Sequence, residues 1–262
     1  MSVLAKIVEN KVTEVAKRKV TISQETLAMR IDSAGPARDF HGALAKEGLS
    51  LIAEIKKASP SRGVISEDVQ SGVLASEYET AGADALSILT DREFFHGGLD
   101  DLVMAKAVTQ MPVLRKDFII DEYQLFEARA YGADAVLLIA RLQAEKELEL
   151  FLTLCREIGL SALVETRNEE DVAKALSAGA DIIGINNRDL NTFEVDISVT
   201  ERLLPEIPGD KVTVSESGIH GDEEAARLQA TGVDALLVGE ALMTANSIER
   251  KVQEIKKARA YG

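Results

Sequence analysis

A short segment recurs four times in this chain, and the repeat constrains the fold more than any other feature of the sequence. Each copy reads glycine, alanine or valine, then aspartate, and continues as an apolar run: Gly82–Leu89, Gly132–Ile139, Gly179–Asn186 and Gly232–Gly239. The first glycines, at positions 82, 132, 179 and 232, recur at intervals of 50, 47 and 53 residues. An interval of about 50 residues is too long for one βα unit and fits two.

Each copy predicts the end of a helix followed by a buried strand. Helical patterns precede the four glycines, at Val73–Ala81, Leu125–Tyr131, Val172–Ala178 and Ala225–Thr231. Glycine at a helix end adopts a left-handed conformation without steric cost, and a continuous apolar run is typical of a strand buried on both faces. Four further strand candidates lie midway between the copies, at Leu51–Lys56, Pro112–Asp117, Leu160–Thr166 and Lys211–Ser217.

Strands that alternate with helices predict an α/β fold with a parallel sheet, and eight of them at a regular interval favour a (β/α)8, or TIM, barrel. A doubly wound open sheet is the alternative. The fourfold repeat argues against it, as does the lack of a G-x-G-x-x-G turn after the first strand. We expect one barrel domain over residues 1–262, with residues 1–45 as an N-terminal helical extension.

The extension begins with apolar residues at helical spacing, which predict an amphipathic surface helix. The apolar positions run from Val3 to Val15 and are interrupted by Lys6, Glu9, Lys11 and Glu14. Whether this helix closes over the mouth of the barrel or covers its other end is open at this point.

Charge and cysteine content narrow the classes of partner. The chain has 30 Lys and Arg against 44 Asp and Glu, a formal net charge of -14, which repels the backbone of nucleic acids. No apolar run approaches the ~18 residues of a membrane span, and the N-terminus does not resemble a signal peptide. The single cysteine, Cys155, cannot form an internal disulfide, which fits a reducing cytoplasm. We expect a cytoplasmic protein that binds neither nucleic acid nor membrane.

Polar side chains gather at the carboxyl ends of the predicted strands. Residues two apart on a strand share a face, and on one such face the strands end in Glu54, Lys56, Lys116, Glu165, Asn186, Arg188 and Glu216. The carboxyl ends of barrel strands form the active face of this fold. Burying so many charges is costly unless they serve a ligand, so we interpret the mouth as an enzyme site rather than a set of ion pairs that plugs the barrel.

Three loops at the same end of the barrel are candidates for binding phosphate. Ser59–Gly63 follows the first strand, Ser217 and Gly218 follow the seventh, and Gly239 and Glu240 follow the eighth and are expected to open the last helix. Glycine lets backbone N–H groups approach an anion, and the loops after strands seven and eight commonly hold phosphate in this fold. Glu240 would contribute its backbone, because its carboxylate would repel phosphate.

Several segments of the chain resemble the indole-3-glycerol-phosphate synthase family of tryptophan biosynthesis. The resemblance runs through nearly the whole chain and is carried by the segments Ile52–Ser61, Thr90–Gly97, Leu114–Ile119, Gly184–Leu190 and Ser215–Ile219. The family closes the ring of 1-(2-carboxyphenylamino)-1-deoxyribulose 5-phosphate and releases carbon dioxide and water, which gives indole-3-glycerol phosphate. The resemblance therefore implies a carboxy-lyase.

The resemblance also implies roles for the catalytic side chains. Lys116 matches the acid that protonates the ketone oxygen, Lys56 the cation beside the substrate carboxylate, and Glu165 the residue of the dehydration step. Glu54 would hold one of the two lysines in place and favour its charged form. Which lysine acts in which step stays open.

The remaining candidates would bind and position the substrate. Asn186, Arg188 and Glu216 would position the anthranilate ring, its carboxylate and the sugar hydroxyls. Further substrate contacts are expected from Phe95, Phe118 and Ser217. The phosphate would lie against Ser59, Gly218, Gly239 and the backbone of Glu240.

Two other functions are kept as alternatives. One is another phosphate-binding barrel enzyme, such as phosphoribosylanthranilate isomerase, and the other is a phosphosugar sensor without turnover. We expect no metal, since His41, His96 and His220 lack the spacing of a metal site, and no organic cofactor, since protons and electrostatics suffice for the chemistry. The expected partner is a small phosphorylated substrate, and the expected oligomeric state is a monomer.

Overall fold

Eight parallel strands close into a barrel in which each strand pairs with its neighbours along the chain and the last pairs with the first. This computed structural model describes residues 2–60, 62–65, 69–189 and 192–257. The strands are β1 (Ser50–Ile55), β2 (Ala85–Leu89), β3 (Val113–Lys116), β4 (Ala135–Ile139), β5 (Ser161–Thr166), β6 (Ile182–Asn186), β7 (Val212–Glu216) and β8 (Ala235–Val238). The predicted (β/α)8 barrel is confirmed. Ser61 and Leu190, which end two of the family-like segments, lie outside the described residues.

Helices precede the barrel and cover its outer face. They are α1 (Val3–Thr21), α2 (Gln24–Ser33), α3 (Phe40–Leu44), α4 (Ser71–Ala81), α5 (Arg92–Phe95), α6 (Leu99–Val108), α7 (Tyr123–Ala130), α8 (Glu145–Glu157), α9 (Glu169–Ser177), α10 (Ser198–Leu203), α11 (Asp222–Gln229), α12 (Glu240–Met243) and α13 (Ile248–Lys256). Short 3-10 turns occupy Ala140–Leu142 and Leu204–Glu206, and Ala58–Ser59 pairs with Gly63–Val64 after β1. None of the helices in the described ranges combines the length and the apolar content of a membrane span.

The repeat glycines end helices, as the sequence predicted. All four have a positive φ, between 84° and 98°, which is the left-handed region that favours glycine.

The aspartates of the repeat join neighbouring strands. Asp84, Asp134 and Asp234 accept the backbone N–H groups of Leu51, Val113 and Thr213 at 2.7 to 2.8 Å. Asp181, in the third copy, instead pairs with Lys211 at 3.0 Å. In three copies, therefore, the aspartate before one strand accepts a backbone hydrogen bond from the preceding strand and joins the two.

Two apolar layers form the core. The outer layer lies between the strands and the surrounding helices and includes Cys155. The inner layer fills the barrel with side chains such as Ile52, Leu114 and Leu163, which share the inward face with the polar residues at the strand ends. The inside of the barrel is thus a packed core beneath a polar mouth.

The N-terminal helices lie against both ends of this inner core. Phe40 and Leu44 of α3 pack beneath it, where Ser50 at the start of β1 donates to the carbonyl of Leu44 at 3.3 Å. Val3 and Ile7 of α1 pack against the same core and also line the mouth. The structure therefore answers the question that the sequence left open, because the first turns of α1 form part of the wall of the mouth.

The buried face of α1 differs from the predicted one. Ile7, Lys11 and Val15 are buried, whereas Val12 is 56% exposed. Lys11 interrupts the apolar pattern but has carboxylate partners inside the protein, so its face of the helix is the one that turns inward.

Candidate active site

A cavity opens at the carboxyl ends of the barrel strands, and the predicted site residues line it together. Five strands and the loops after them supply Glu54, Lys56, Lys116, Glu165, Asn186, Arg188 and Glu216. The side chains converge because all eight strands run parallel and their inward-facing positions end at one mouth.

Lys116 lies at the centre of this arrangement. Its Nζ is 3.0 Å from Glu216 Oε2, 3.8 Å from Glu165 Oε2 and 4.0 Å from Glu54 Oε2. Burial alone would lower the pKa of the ammonium, but the carboxylates of Glu216, Glu165 and Glu54 outweigh burial and raise it well above its usual value. Lys116 is therefore a cation across the physiological pH range.

Glu54 connects the two lysines. Its Oε1 accepts a hydrogen bond from Lys56 Nζ at 2.7 Å, while its Oε2 faces Lys116. Burial raises the pKa of this carboxyl, and the positive charges of Lys56 and Lys116 lower it by more, so the net shift is downward. Glu54 is thus an ionised bridge between two cations.

The pKa of the Glu216 carboxyl is shifted upward, in the opposite direction to that of Glu54. Its side chain is 1% exposed, and this burial, together with the nearby carboxylates of Glu165 and Glu54, raises its pKa to about 7 even though Lys116 opposes the change. A carboxyl group that titrates near neutral pH beside a fixed ammonium can hold or release a proton during a reaction.

This raised pKa gives a prediction for stability. Between the unfolded value of about 4.3 and the folded value of about 7, the folded protein keeps a proton at Glu216 that the unfolded chain has lost. The folded state binds more protons there, so the free energy of unfolding falls as the pH rises through this range. Glu216→Gln removes the group, and we expect the variant to gain stability relative to wild type as the pH rises.

Urea denaturation of both proteins at about pH 5, 6, 7 and 8 measures this difference. Glu149→Gln, at an exposed position on α8, is the matched control. A difference between wild type and Glu216→Gln that does not change with pH would contradict the assignment.

The polar residues after β5 and β6 are held by one another. Asn186 Oδ1 accepts the backbone N–H of Arg188 at 2.9 Å, and Arg188 Nη1 donates to the carbonyl of Phe193 at 3.2 Å. Arg167, which the sequence analysis did not select, donates to the carbonyl of Asn186 at 2.9 Å. Asn186 and Arg188 therefore face the cavity from a fixed turn.

An aromatic wall forms one side of the cavity. The rings of Phe95 and Phe118 lie 6.0 Å apart at 38°, within the range of favourable aromatic contact. Phe118 is buried, whereas His96 beside Phe95 is exposed and does not contribute to the lining. Another histidine, His220, lines the cavity, and the sequence pattern gave no reason to choose it.

The expected phosphate loops also line this cavity. Ser59, Ser217, Gly218, Gly239 and Glu240 all line the cavity. Ser217 and Gly218 both have positive φ, 69° and 81°, which makes a sharp turn directly after β7.

One prediction about these loops is wrong. Glu240 does not open the last helix: it begins the four-residue α12, and the last described helix is the separate α13. The Glu240 carboxylate forms an ion pair with Arg62 in the loop after β1. Its negative charge is thereby balanced at the rim.

A buried ionic cluster behind the aromatic wall was not foreseen. Lys11 Nζ lies 2.8 Å from Asp91 Oδ2 and 2.8 Å from Asp117 Oδ1, and Arg115 Nη2 lies 3.0 Å from Asp117 and 2.9 Å from Glu127. Asp117 follows Lys116 directly, so the cluster connects α1 to the end of β3. Ile7, Lys11 and Val15 are four residues apart, and this spacing is the signal that could have placed Lys11 inside.

Sequence comparisons with known proteins point to one family. Residues 4–255 match the family model described as indole-3-glycerol phosphate synthase. The chain is 46% identical over 257 residues to the indole-3-glycerol phosphate synthase of Acetivibrio thermocellus, covering 97% of this chain and 99% of the relative. It is 47% identical over 262 residues to that of Desulforamulus reducens, with 99% of each covered.

The fold itself recurs in solved structures of low sequence identity. The structure of 3-hexulose-6-phosphate synthase from Salmonella typhimurium superposes with a TM-score of 0.65 at 15% identity, and the match covers 80% of this chain and 98% of that one. Likeness at this level of identity shows the barrel architecture alone. Among the described residues, no group of His, Cys, Asp and Glu has the arrangement of a metal site.

Proposed function

The chain belongs to the indole-3-glycerol-phosphate synthase family, and we propose that the polar side chains at its barrel mouth carry out this family's ring closure. The activity is that of a carboxy-lyase in tryptophan biosynthesis. The observation that carries the proposed residue roles is the Lys116 ammonium, held at 3.0 to 4.0 Å from three carboxylates at the mouth.

Substrate binding uses two groups of cavity residues. The phosphate lies against Ser59, Gly218, Gly239 and the backbone of Glu240, and the Glu240 carboxylate does not repel it because it pairs with Arg62. The carboxyphenyl ring lies against Phe95 and Phe118, whose rings form the apolar wall. Ser217 contacts the sugar chain between these two ends.

In the first step, a carbon–carbon bond forms between the ring carbon that carries the carboxylate and the ketone carbon of the sugar. The ketone oxygen takes a proton from Lys116 and becomes a hydroxyl group. Lys116 is a cation in the free enzyme because its carboxylate neighbours raise its pKa, so it also stabilises the negative charge that develops on this oxygen.

Carbon dioxide then leaves, and the bonding electron pair returns to the ring. Lys56 and Arg188 face the departing carboxylate, and Glu54 keeps Lys56 in place through the 2.7 Å contact. In the last step the hydroxyl group leaves as water with a proton from a lysine, while Glu165 removes a proton from the sugar-derived carbon. Asn186 and Glu216 hold the hydroxyl groups and Lys116 during these steps.

Turnover by the purified protein tests this proposal. The chain has no tryptophan and four tyrosines, so the indole product fluoresces over a low background. We expect emission to rise when the protein is mixed with 1-(2-carboxyphenylamino)-1-deoxyribulose 5-phosphate in metal-free buffer. Saturable binding without emission would favour the phosphosugar sensor instead, and turnover of phosphoribosylanthranilate would favour the isomerase.

We further propose that the enzyme acts as a cytoplasmic monomer and that residues 1–262 form one domain. The single cysteine supports the reducing compartment. The packing of α1 and α3 against the inner core of the barrel supports one domain, because the extension shares the barrel's own core.

A further inference from the structure

A glycine in the middle of a barrel strand lies directly beneath the Glu216 carboxylate. Gly184 is on β6, and the adjacent strand β7 carries Glu216, with Asn186 paired opposite Glu216 in the register. A Cβ atom at position 184 would overlap Oε1 of Glu216 and would lie 3.5 Å from its Cδ. The carboxylate therefore occupies the space that a side chain at 184 would fill.

Backbone conformation does not explain this glycine. Gly184 is not among the glycines of positive φ, and its strand has regular parallel pairing on both sides. Glycine within a strand weakens it, and it often marks a place where another group approaches closely. Here the approaching group is the end of the Glu216 side chain.

We propose that Gly184 is a positioning residue, whose missing side chain leaves a notch that holds the Glu216 carboxylate against Lys116. This inference rests on the proposed function, in which Lys116 and Glu216 act together. A side chain at 184 would push the carboxylate out of the notch and away from Lys116.

The same arrangement occurs at a second position. A Cβ atom at Gly239, after β8, would overlap Oε1 of Glu54 and would lie 3.0 Å from its Cδ. For two of the three carboxylates around Lys116, a glycine therefore leaves the space that the carboxylate occupies. Gly239 is also a proposed phosphate contact, so Gly184 gives the cleaner test.

Alanine at position 184 is expected to move Glu216 and leave the fold intact. The new Cβ atom first meets Glu216 Oε1, which is the far end of a flexible side chain. The next neighbour, Leu163 Cδ1, is 3.2 Å away and needs a shift of only a few tenths of an ångström. A displacement of about 1 Å at a catalytic group costs about 10²-fold in rate. We expect Gly184→Ala to lower kcat by about 10- to 100-fold, with KM changed by less than about threefold.

The pH profile separates displacement of Glu216 from a general loss of structure. The charged groups around the Glu216 carboxyl are Lys116, Glu165 and Glu54. In the variant the carboxyl moves toward solvent, so the acid limb of the kcat profile is expected to shift to lower pH. A variant that has merely lost stability would keep the position of this limb.

A double-mutant cycle tests whether Gly184 acts through Glu216. In a Glu216→Ala background the notch is empty, so adding Gly184→Ala is expected to change kcat by less than about twofold. Gly209→Ala is the matched control, since no atom among the described residues lies within 4 Å of its new Cβ. Thermal unfolding of each variant shows whether it is folded at the temperature of the activity assay.

The inference fails if Gly184→Ala keeps the kcat and acid limb of wild type, or if it lowers kcat by the same factor in the Glu216→Ala background. Should Gly184→Ala not fold, Gly184→Ala combined with Glu216→Asp, whose carboxylate is one methylene shorter, is expected to restore folding. Absence of that rescue would also overturn the inference. Turnover by wild type is measured first, so failure of the proposed function is recognised separately.

Discussion

Replacement of Lys116 by methionine is expected to lower kcat by about 10²- to 10⁴-fold, the usual loss when one general acid is removed. Methionine keeps most of the length of the lysine side chain but has no proton to donate and no positive charge. The ketone oxygen would then have neither a proton donor nor a cation as negative charge develops on it. We expect this to be the largest effect on activity of any single substitution in the site.

The variant is nevertheless expected to fold near neutral pH. Without the ammonium, Glu54, Glu165 and Glu216 would face one another across the mouth, which would favour protonation of at least one carboxyl group. Lys116→Met should therefore lose stability more steeply than wild type as the pH is raised above 7. The fold at the assay pH is checked by circular dichroism and by urea denaturation.

Indole emission under saturating substrate gives kcat for both proteins. Lys146→Met, at an exposed position on α8, is the matched control and should have wild-type kcat. If Lys116→Met kept kcat within about threefold of wild type, Lys116 would not be the acid, and Lys56 would be the remaining candidate among the mouth lysines.

Replacement of Lys11 by methionine is expected to lower the free energy of unfolding by about 3–5 kcal/mol, because it removes one partner from a buried ion cluster. Asp91 and Asp117 are both fully buried, and each lies 2.8 Å from the Lys11 ammonium. Burial lowers the pKa of Lys11, but Asp117 and Asp91 raise it by more. On the alkaline side, the stabilisation from the charged Lys11 is therefore complete below the unfolded lysine pKa of about 10.4 and is lost as the pH rises through the higher folded value.

The same substitution should also weaken substrate binding. Lys11 holds α1 against the ends of β2 and β3, and the first turns of α1 place Val3, Leu4 and Ile7 in the cavity wall. Once α1 is less firmly held, this wall is less well ordered before the substrate arrives. We therefore expect a higher KM for Lys11→Met, together with the loss of stability.

Urea denaturation at neutral pH measures the stability loss, and Lys17→Met, at an exposed position on the same helix, controls for the removal of a lysine from α1. Equal stability of the two variants would contradict the assignment of Lys11 to a buried cluster. An unchanged KM with reduced stability would show that α1 stabilises the barrel without shaping the site.

Much of the barrel could be predicted because its determinants are local and repeated. The glycine, aspartate and apolar run of each repeat specify a helix end and a strand within a few residues, and the interval between copies specifies paired βα units. The placement of Glu54, Lys56, Lys116 and Glu165 followed from the alternation of side chains along a strand and from the shared direction of parallel strands. Neither argument requires knowledge of distant contacts.

Sequence patterns gave wrong predictions at residues whose environment depends on distant parts of the chain. Lys11 was interpreted as an interruption of an apolar pattern because its partners, Asp91 and Asp117, come from two loops far along the chain. The sequence pattern places Glu240 at the start of the last helix, whereas in the structure α12 ends at Met243 and a separate helix, α13, begins at Ile248.

Local sequence patterns specify the barrel, the end at which polar side chains gather and the kinds of side chain that meet there, because backbone periodicity and strand direction are local properties. The folded structure adds that α1 lines the mouth, that Glu216 rather than Glu165 lies nearest Lys116, and that Gly184 leaves room for that contact. Distances of 3 to 4 Å between side chains on different strands, and the burial that raises the pKa of Glu216, arise from how the strands pack around a closed barrel. Such quantities depend on the whole fold at once, and a linear pattern does not contain them.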